Sequence, residues 1–399
     1  MSCALKMVDQ HRARRPRTAA QGPSPPRAAF RYERLPLIAL SMFALVAALW
    51  GGILRLGWNA PVVQPGLYLA HGPLMICGFL GTLIALERAI ALGKRWGYIA
   101  PGLSGAGALA LIVGVPDSAG ALLITLGSVG LLANFVAILR LQTALFTVTM
   151  ALGAVAWCIG DILWLTHTPI IGMFPWWTGF LVLTIVGERL ELSRLTGLNE
   201  RNQPLFAAGL GIFLVGCAVA LRAPAYGLRL AGLGMLAMAL WLSRYDLARR
   251  TVRQEGLTRF IAINLLAGYL WLGAGGLAWL WFGNDLTRFH YDVMLHTIFL
   301  GFVFSMVFAH APIIFPAVLQ GSLPYRRAFY VHSALLHLSL LLRVGADLYG
   351  SYVGYQWGGL LNVVALLIFV GNTARAVVSG MARTRQVARV RTATSEAGD

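Results

Sequence analysis

Apolar residues run along this chain in long blocks broken by short basic or polar stretches. The blocks are neither the alternating pattern of a strand nor the narrow stripe of a surface helix. Each approaches the ~20 residues that a helix needs to cross a bilayer. Twelve can be delimited: 35–54, 66–86, 97–114, 118–139, 143–165, 169–188, 204–221, 226–243, 259–282, 291–318, 325–349 and 355–374. In hydrocarbon every backbone N–H and C=O must be satisfied within its own segment, so each block is expected to be helical. The pattern predicts an all-α polytopic membrane protein, a bundle of about 12 transmembrane helices spanning 35–375.

The breaks carry the orientation. Placing the N-terminus in the cytoplasm and alternating sides puts all but five of the 32 Lys and Arg on the cytoplasmic side. The exceptions are Arg55, Arg222, Arg229 and Arg288 on the far side and Arg343 inside a span. This skew follows the positive-inside rule and places both termini in the cytoplasm. The net charge of +17 therefore points to anionic headgroups of a lipid bilayer, not to nucleic acid. Residues 1–34 have no apolar core and read as a disordered basic cytoplasmic tail; residues 376–399 read as a second basic cytoplasmic tail. With 58% hydrophobic and 12% charged residues and a mean hydropathy of +0.71, no soluble domain is expected. The expected location is a bacterial inner membrane.

Chemistry has to come from polar residues at membrane depth, which are costly to place there. The four cysteines form no CxxC or CxxCH pattern. Of eight histidines, His71, His296, His310, His332 and His337 fall inside spans. His71 lies in "LAHGPLMICGFLG", five residues after Gly66; His296 is five residues after Tyr291. Both spans run from outside to inside, so both rings should lie about 7–8 Å below the outer boundary at 1.5 Å per residue. Imidazoles on two helices at one depth can sandwich a flat metal macrocycle, or simply bond neighbouring helices. Arg343 is expected near the same level, its charge met either by an anionic ligand group or by Asp347 four residues on. Arg288, at the outer mouth of its span, is a second candidate for such a group. His310 lies 14 residues after His296, on the same face and some 21 Å further in. It could form a second metal site with His332; His337 is about 140° around the helix from His332 and cannot share that site. Two spans end in similar runs, "IALERAIAL" and "IVGERLEL", each with Glu-Arg at the cytoplasmic end. These read as ion-paired termini or as proton-entry carboxylates.

"AHGPLMICGF" resembles the His-Gly-x-x-Met stretch in the second helix of haem–copper oxidase subunit I. The run from His296 through "GFVF" to "IIFP" resembles that subunit's tenth helix, and twelve helices with both termini inside match as well. The resemblance implies a haem b with His71 and His296 as axial ligands and Arg343 or Arg288 toward its propionates. The sequence departs from the family where oxygen is reduced. Position 294 is Met where the family has a second histidine, and the sixth and seventh spans lack the copper-binding histidines. The layout is also similar to NnrS-type membrane haem and copper proteins, although their His-x-His-Glu-Met run is missing.

The expectation is an integral membrane b-type haem protein in electron transfer or nitric-oxide-related respiration, with quinol or a periplasmic electron carrier as partner. If it is an enzyme, it is a membrane oxidoreductase. Two other classes compete. One is a secondary transporter using Glu87, Asp161, Glu188 or Asp292 as proton-coupling carboxylates. The other is a membrane factor that handles haem or copper transiently.

Overall fold

The computed structural model describes residues 32–193, 202–319 and 324–396. Residues 1–31, which make up nearly all of the expected N-terminal tail, lie outside the described residues. Among those described, every regular element is helical and none is a strand. Twelve helices are long and apolar enough to cross a membrane: α1 (Leu35–Arg55), α2 (Leu67–Leu92), α3 (Arg95–Val113), α4 (Ser118–Leu141), α5 (Leu145–Leu165), α6 (Ile170–Leu192), α7 (Gln203–Ala220), α8 (Pro224–Tyr245), α9 (Gly256–Phe282), α10 (Arg288–Pro316), α11 (Phe329–Leu348) and α12 (Tyr352–Gly380). Each expected span corresponds to one helix, and the protein is an all-α polytopic bundle.

The helices end where the chain supplies stop signals. Gly93 and Gly114 take left-handed backbone angles, φ +68° and +81°, and close α2 and α3 as glycine C-caps. Proline stands in the first turn of α1, α7 and α8, where its missing N–H costs no hydrogen bond. The helix beginning at Tyr352 continues to Glu396, into the residues read as the C-terminal tail. Its alternation of Ala, Arg, Gln and Val offers good helix formers and no proline, so nothing stops the α12 helix where the apolar block ends.

α2, α6 and α10 are the most enclosed helices, with 72%, 83% and 72% of their apolar windows buried, against 39% for α1, α4, α7 and α12. They form the centre of the bundle, and the others present apolar side chains outward. Small residues set the closest helix approaches. A methyl group on Gly232 of α8 would lie 2.6 Å from the Gly276 carbonyl oxygen of α9, and one on Gly276 would lie 2.8 Å from the Gly232 oxygen. Small residues at such crossings let backbones pack without intervening side chains.

Candidate functional site

The two histidine-bearing helices share an irregularity that the sequence did not reveal. α2 is α-helical through Pro73 and then widens into a π-helical stretch, Leu74–Gly81. α10 does the same after His296, over Thr297–Phe304. Each stretch is eight residues long and carries Gly-Phe at its fifth and sixth positions: Gly78-Phe79 and Gly301-Phe302. π-Helical segments are rare and concentrate at functional sites. Widening a helix disturbs its hydrogen-bond ladder, and neighbours supply partners here. Ser104 of α3 donates to the Cys77 carbonyl at 2.8 Å and Ser41 of α1 donates to that of Phe79 at 3.2 Å. In α10, Ser305 donates to the Gly301 carbonyl. Each stretch also seats a tryptophan against a glycine. A methyl group on Gly81 would lie 2.5 Å from the Trp157 ring, and one on Gly301 would lie 2.5 Å from that of Trp271. Phe79 and Phe304 stack across the two helices, their centroids 6.0 Å apart.

Between these helices, toward the end of the bundle away from the basic loops, lies a cavity of about 530 Å³, inside the usual ~300–1,000 Å³ range of ligand pockets. His71 and His296 both line it. The Nδ1 of His71 lies 2.7 Å from the Ala48 carbonyl oxygen. The Nδ1 of His296 lies 3.1 Å from the Asp292 carbonyl oxygen and 3.1 Å from its carboxylate. These acceptors place the ring proton on Nδ1 in each case. Each Nε2 is left as a lone-pair donor with no protein partner among the described residues. Gly52 makes room for the first ring: a methyl group there would lie 3.0 Å from the His71 Cε1. The walls are aromatic and aliphatic, with Trp164, Phe174, Trp177, Phe299 and Phe304 among them. Trp177 is held by its indole N–H, which donates to buried Asp161 at 2.9 Å. The Cys77 thiol donates to the same oxygen at 3.6 Å.

Arg343 lines the cavity, and its protein partner is not the expected Asp347. Its charge is met by Asp292 of α10, with Nε and Nη2 each donating to one carboxylate oxygen at 2.7 Å. Asp347 makes no ion pair with it, and neither of its oxygens has a hydrogen-bond partner among the described residues. Asp292 thus connects Arg343 to His296. It is the residue whose role at this site the sequence reading missed, although its place one turn before His296 was a usable signal. Arg288 also lines the cavity, its guanidinium 5.6 Å from the Tyr352 ring centroid. Arg55, at the outer end of α1, lines it too, 5.2 Å from the Tyr68 ring. Neither makes an ion pair with a carboxylate among the described residues.

The remaining histidines each have their own neighbours. His310 packs deeper in α10, with Nδ1 2.7 Å from the Met306 carbonyl oxygen. The ring of His332 sits among Phe308, Phe329 and Phe369. His337 accepts the Trp271 N–H at 3.1 Å. These three are the candidates for a second metal site, and the Nε2 atoms of His310 and His337 are buried without a partner among the described residues. Met294 is fully buried and does not line the cavity; its carbonyl accepts the Trp279 N–H at 3.0 Å. His290 stacks on Phe282 and lies 2.8 Å from Asp285. Asp285, in the loop outside the membrane, is held below the usual carboxylate range by the Thr287 N–H and by His290. No three His, Cys, Asp or Glu side chains converge as a metal-ion site among the described residues. A porphyrin supplies four of the iron ligands itself and asks the protein for no more than two.

The fold and this site define a twelve-helix polytopic membrane protein with a pocket lined by two histidines. Residues 34–378 match a family described as a domain of unknown function (DUF8744), and the chain belongs to that family. The match begins and ends almost where the twelve-helix bundle does. No curated protein matches the chain.

Proposed function

We propose that the outer cavity is a b-type haem site and that the protein transfers electrons through it. The observation that carries this reading is the paired donor set. His71 and His296 come from separate central helices, line one cavity, and each keep Nδ1 on a backbone carbonyl and Nε2 free. A metal-ligating histidine characteristically donates its other ring N–H to a carbonyl or carboxylate, which fixes the tautomer and ring plane. The Asp292 carboxylate braces the His296 ring, and Arg343 holds that carboxylate in place. The aromatic walls exclude water and suit a flat apolar ring. Arg55 and Arg288, cations without carboxylate partners at the outer rim, suit the acidic edge of such a ring better than Arg343, which already has its anion. A haem ligated by two imidazoles supplies one-electron transfer and has no open position for a gas. The rim on the far side from the basic loops makes a periplasmic carrier the fitting partner and a bacterial inner membrane the fitting location; quinol within the bilayer is the alternative donor.

The test is composition. Protein produced with haem in plentiful supply is purified in mild detergent, and its haem is extracted and quantified. One non-covalent haem b per chain is expected, falling below one tenth in His71→Ala and in His296→Ala. Full occupancy in both variants would overturn the reading.

A further inference from the structure

A second cavity, about 110 Å³, lies in the half of the membrane next to the basic face. Its walls are mostly aliphatic side chains of α2, α6 and α10; its polar members are Glu87, Thr184, Glu188 and His310. Here the two Glu-Arg runs of the sequence meet and divide their roles. Arg88 Nη2 donates to Glu87 at 2.8 Å and to Glu188 at 2.9 Å, so two carboxylates share one guanidinium. Arg189 cannot supply the missing positive charge. Its Nη2 and Nε donate to Asp246 at 2.9 and 3.0 Å, and its Nε also lies 3.1 Å from the Tyr269 hydroxyl. Arg34, at the foot of α1, donates to the Val318 carbonyl at 2.7 Å and pairs with neither glutamate. Glu191, one turn beyond Glu188, adds negative field. The group formed by Glu87, Arg88 and Glu188 therefore carries one negative charge too many for a buried site, unless a cation joins it.

His310 is the independent sign of an occupant. It is only 8% exposed, its Nδ1 is committed to the Met306 carbonyl, and its Nε2 is buried with no partner. An unsatisfied acceptor lining the same cavity as the two glutamates calls for a proton donor in that cavity. The cavity has room for three to four waters at ~30 Å³ each, and its polar members offer such waters partners.

We infer that this cavity is a hydrated proton-binding site in which Glu87 and Glu188 hold one proton between them beside Arg88, with His310 Nε2 as the adjoining acceptor. Two carboxylates on one guanidinium leave one negative charge over, and a shared proton removes it. The site stands independently of any haem. It would give protons from the cytoplasmic side a place to enter the bundle.

Infrared spectroscopy of the purified full chain tests this. In the wild type a deuterium-sensitive carboxylic-acid C=O band is expected to vanish on alkaline titration. Glu87→Gln and Glu188→Gln should each remove that component, because either variant leaves one carboxylate on Arg88 and no need for the proton. Titration should release one proton per chain more from the wild type than from either variant. Glu87→Gln preserves the Arg88–Glu188 pair, so it keeps the fold and serves as the primary test. His310→Gln should keep the band and move the pH at which it disappears. Two results overturn the proposal: a band and proton count unchanged in both glutamine variants, or a band abolished at fixed pH when sodium chloride replaces potassium chloride, which would make this a sodium site.

Discussion

Asp292 does the most at the residue scale. It neutralises Arg343 and braces His296 in one buried network. Breaking a buried ion pair from one side leaves an uncompensated charge, at a cost of about 3–5 kcal/mol, whereas replacing both partners by apolar groups is much cheaper. Arg343→Met should therefore lower stability by about 3–5 kcal/mol, and adding Asp292→Leu should recover most of that loss. Denaturant unfolding in detergent across the double-mutant cycle checks it, and simple additivity would remove Asp292 as the partner. The sequence exposed the individual polar residues but not this pairing. Arg343 and Asp292 are 51 positions apart, and Asp347 at helical spacing was the natural local partner. Sequence spacing reports neighbours on one helix and is silent about which helix packs alongside.

At the scale of elements, glycine separates crossings from open faces. Gly276→Ala forces α8 and α9 apart at their backbone contact and should cost about 1–3 kcal/mol, the usual range for overpacking. Gly211→Ala in α7 meets nothing within 4 Å. It should be neutral or should stabilise by up to ~1 kcal/mol, because alanine restricts the unfolded chain and favours helix. Thermal melts of the two variants side by side decide between a packed crossing and a loose one. The twelve spans were legible because hydrocarbon imposes length and apolarity on each segment. The π-helical stretches were not, since no composition rule marks them. Only after the structure does the repeated Gly-Phe beyond each histidine read as their common signature.

The whole molecule is oriented by its charges and divided by depth, with a two-histidine cavity toward the sparsely charged face and an acidic cavity toward the basic face. Single cysteines test the orientation in a background lacking the native thiols. Lys94→Cys should react with a membrane-impermeant maleimide only from the cytoplasmic side, and Val63→Cys only from the other side; the reverse pattern would invert the bundle. Equal depth for His71 and His296 was an expectation from counting both from the same boundary along helices of known rise. That they line one cavity depends on packing. The most direct measurement of the central claim is the visible spectrum of the purified protein, oxidised and then reduced, before and after carbon monoxide. Sharp reduced bands that carbon monoxide leaves unchanged, and that are lost in His71→Ala and in His296→Ala, are the predicted result. A colourless protein from cells rich in haem, or bands that persist in both variants, would contradict it.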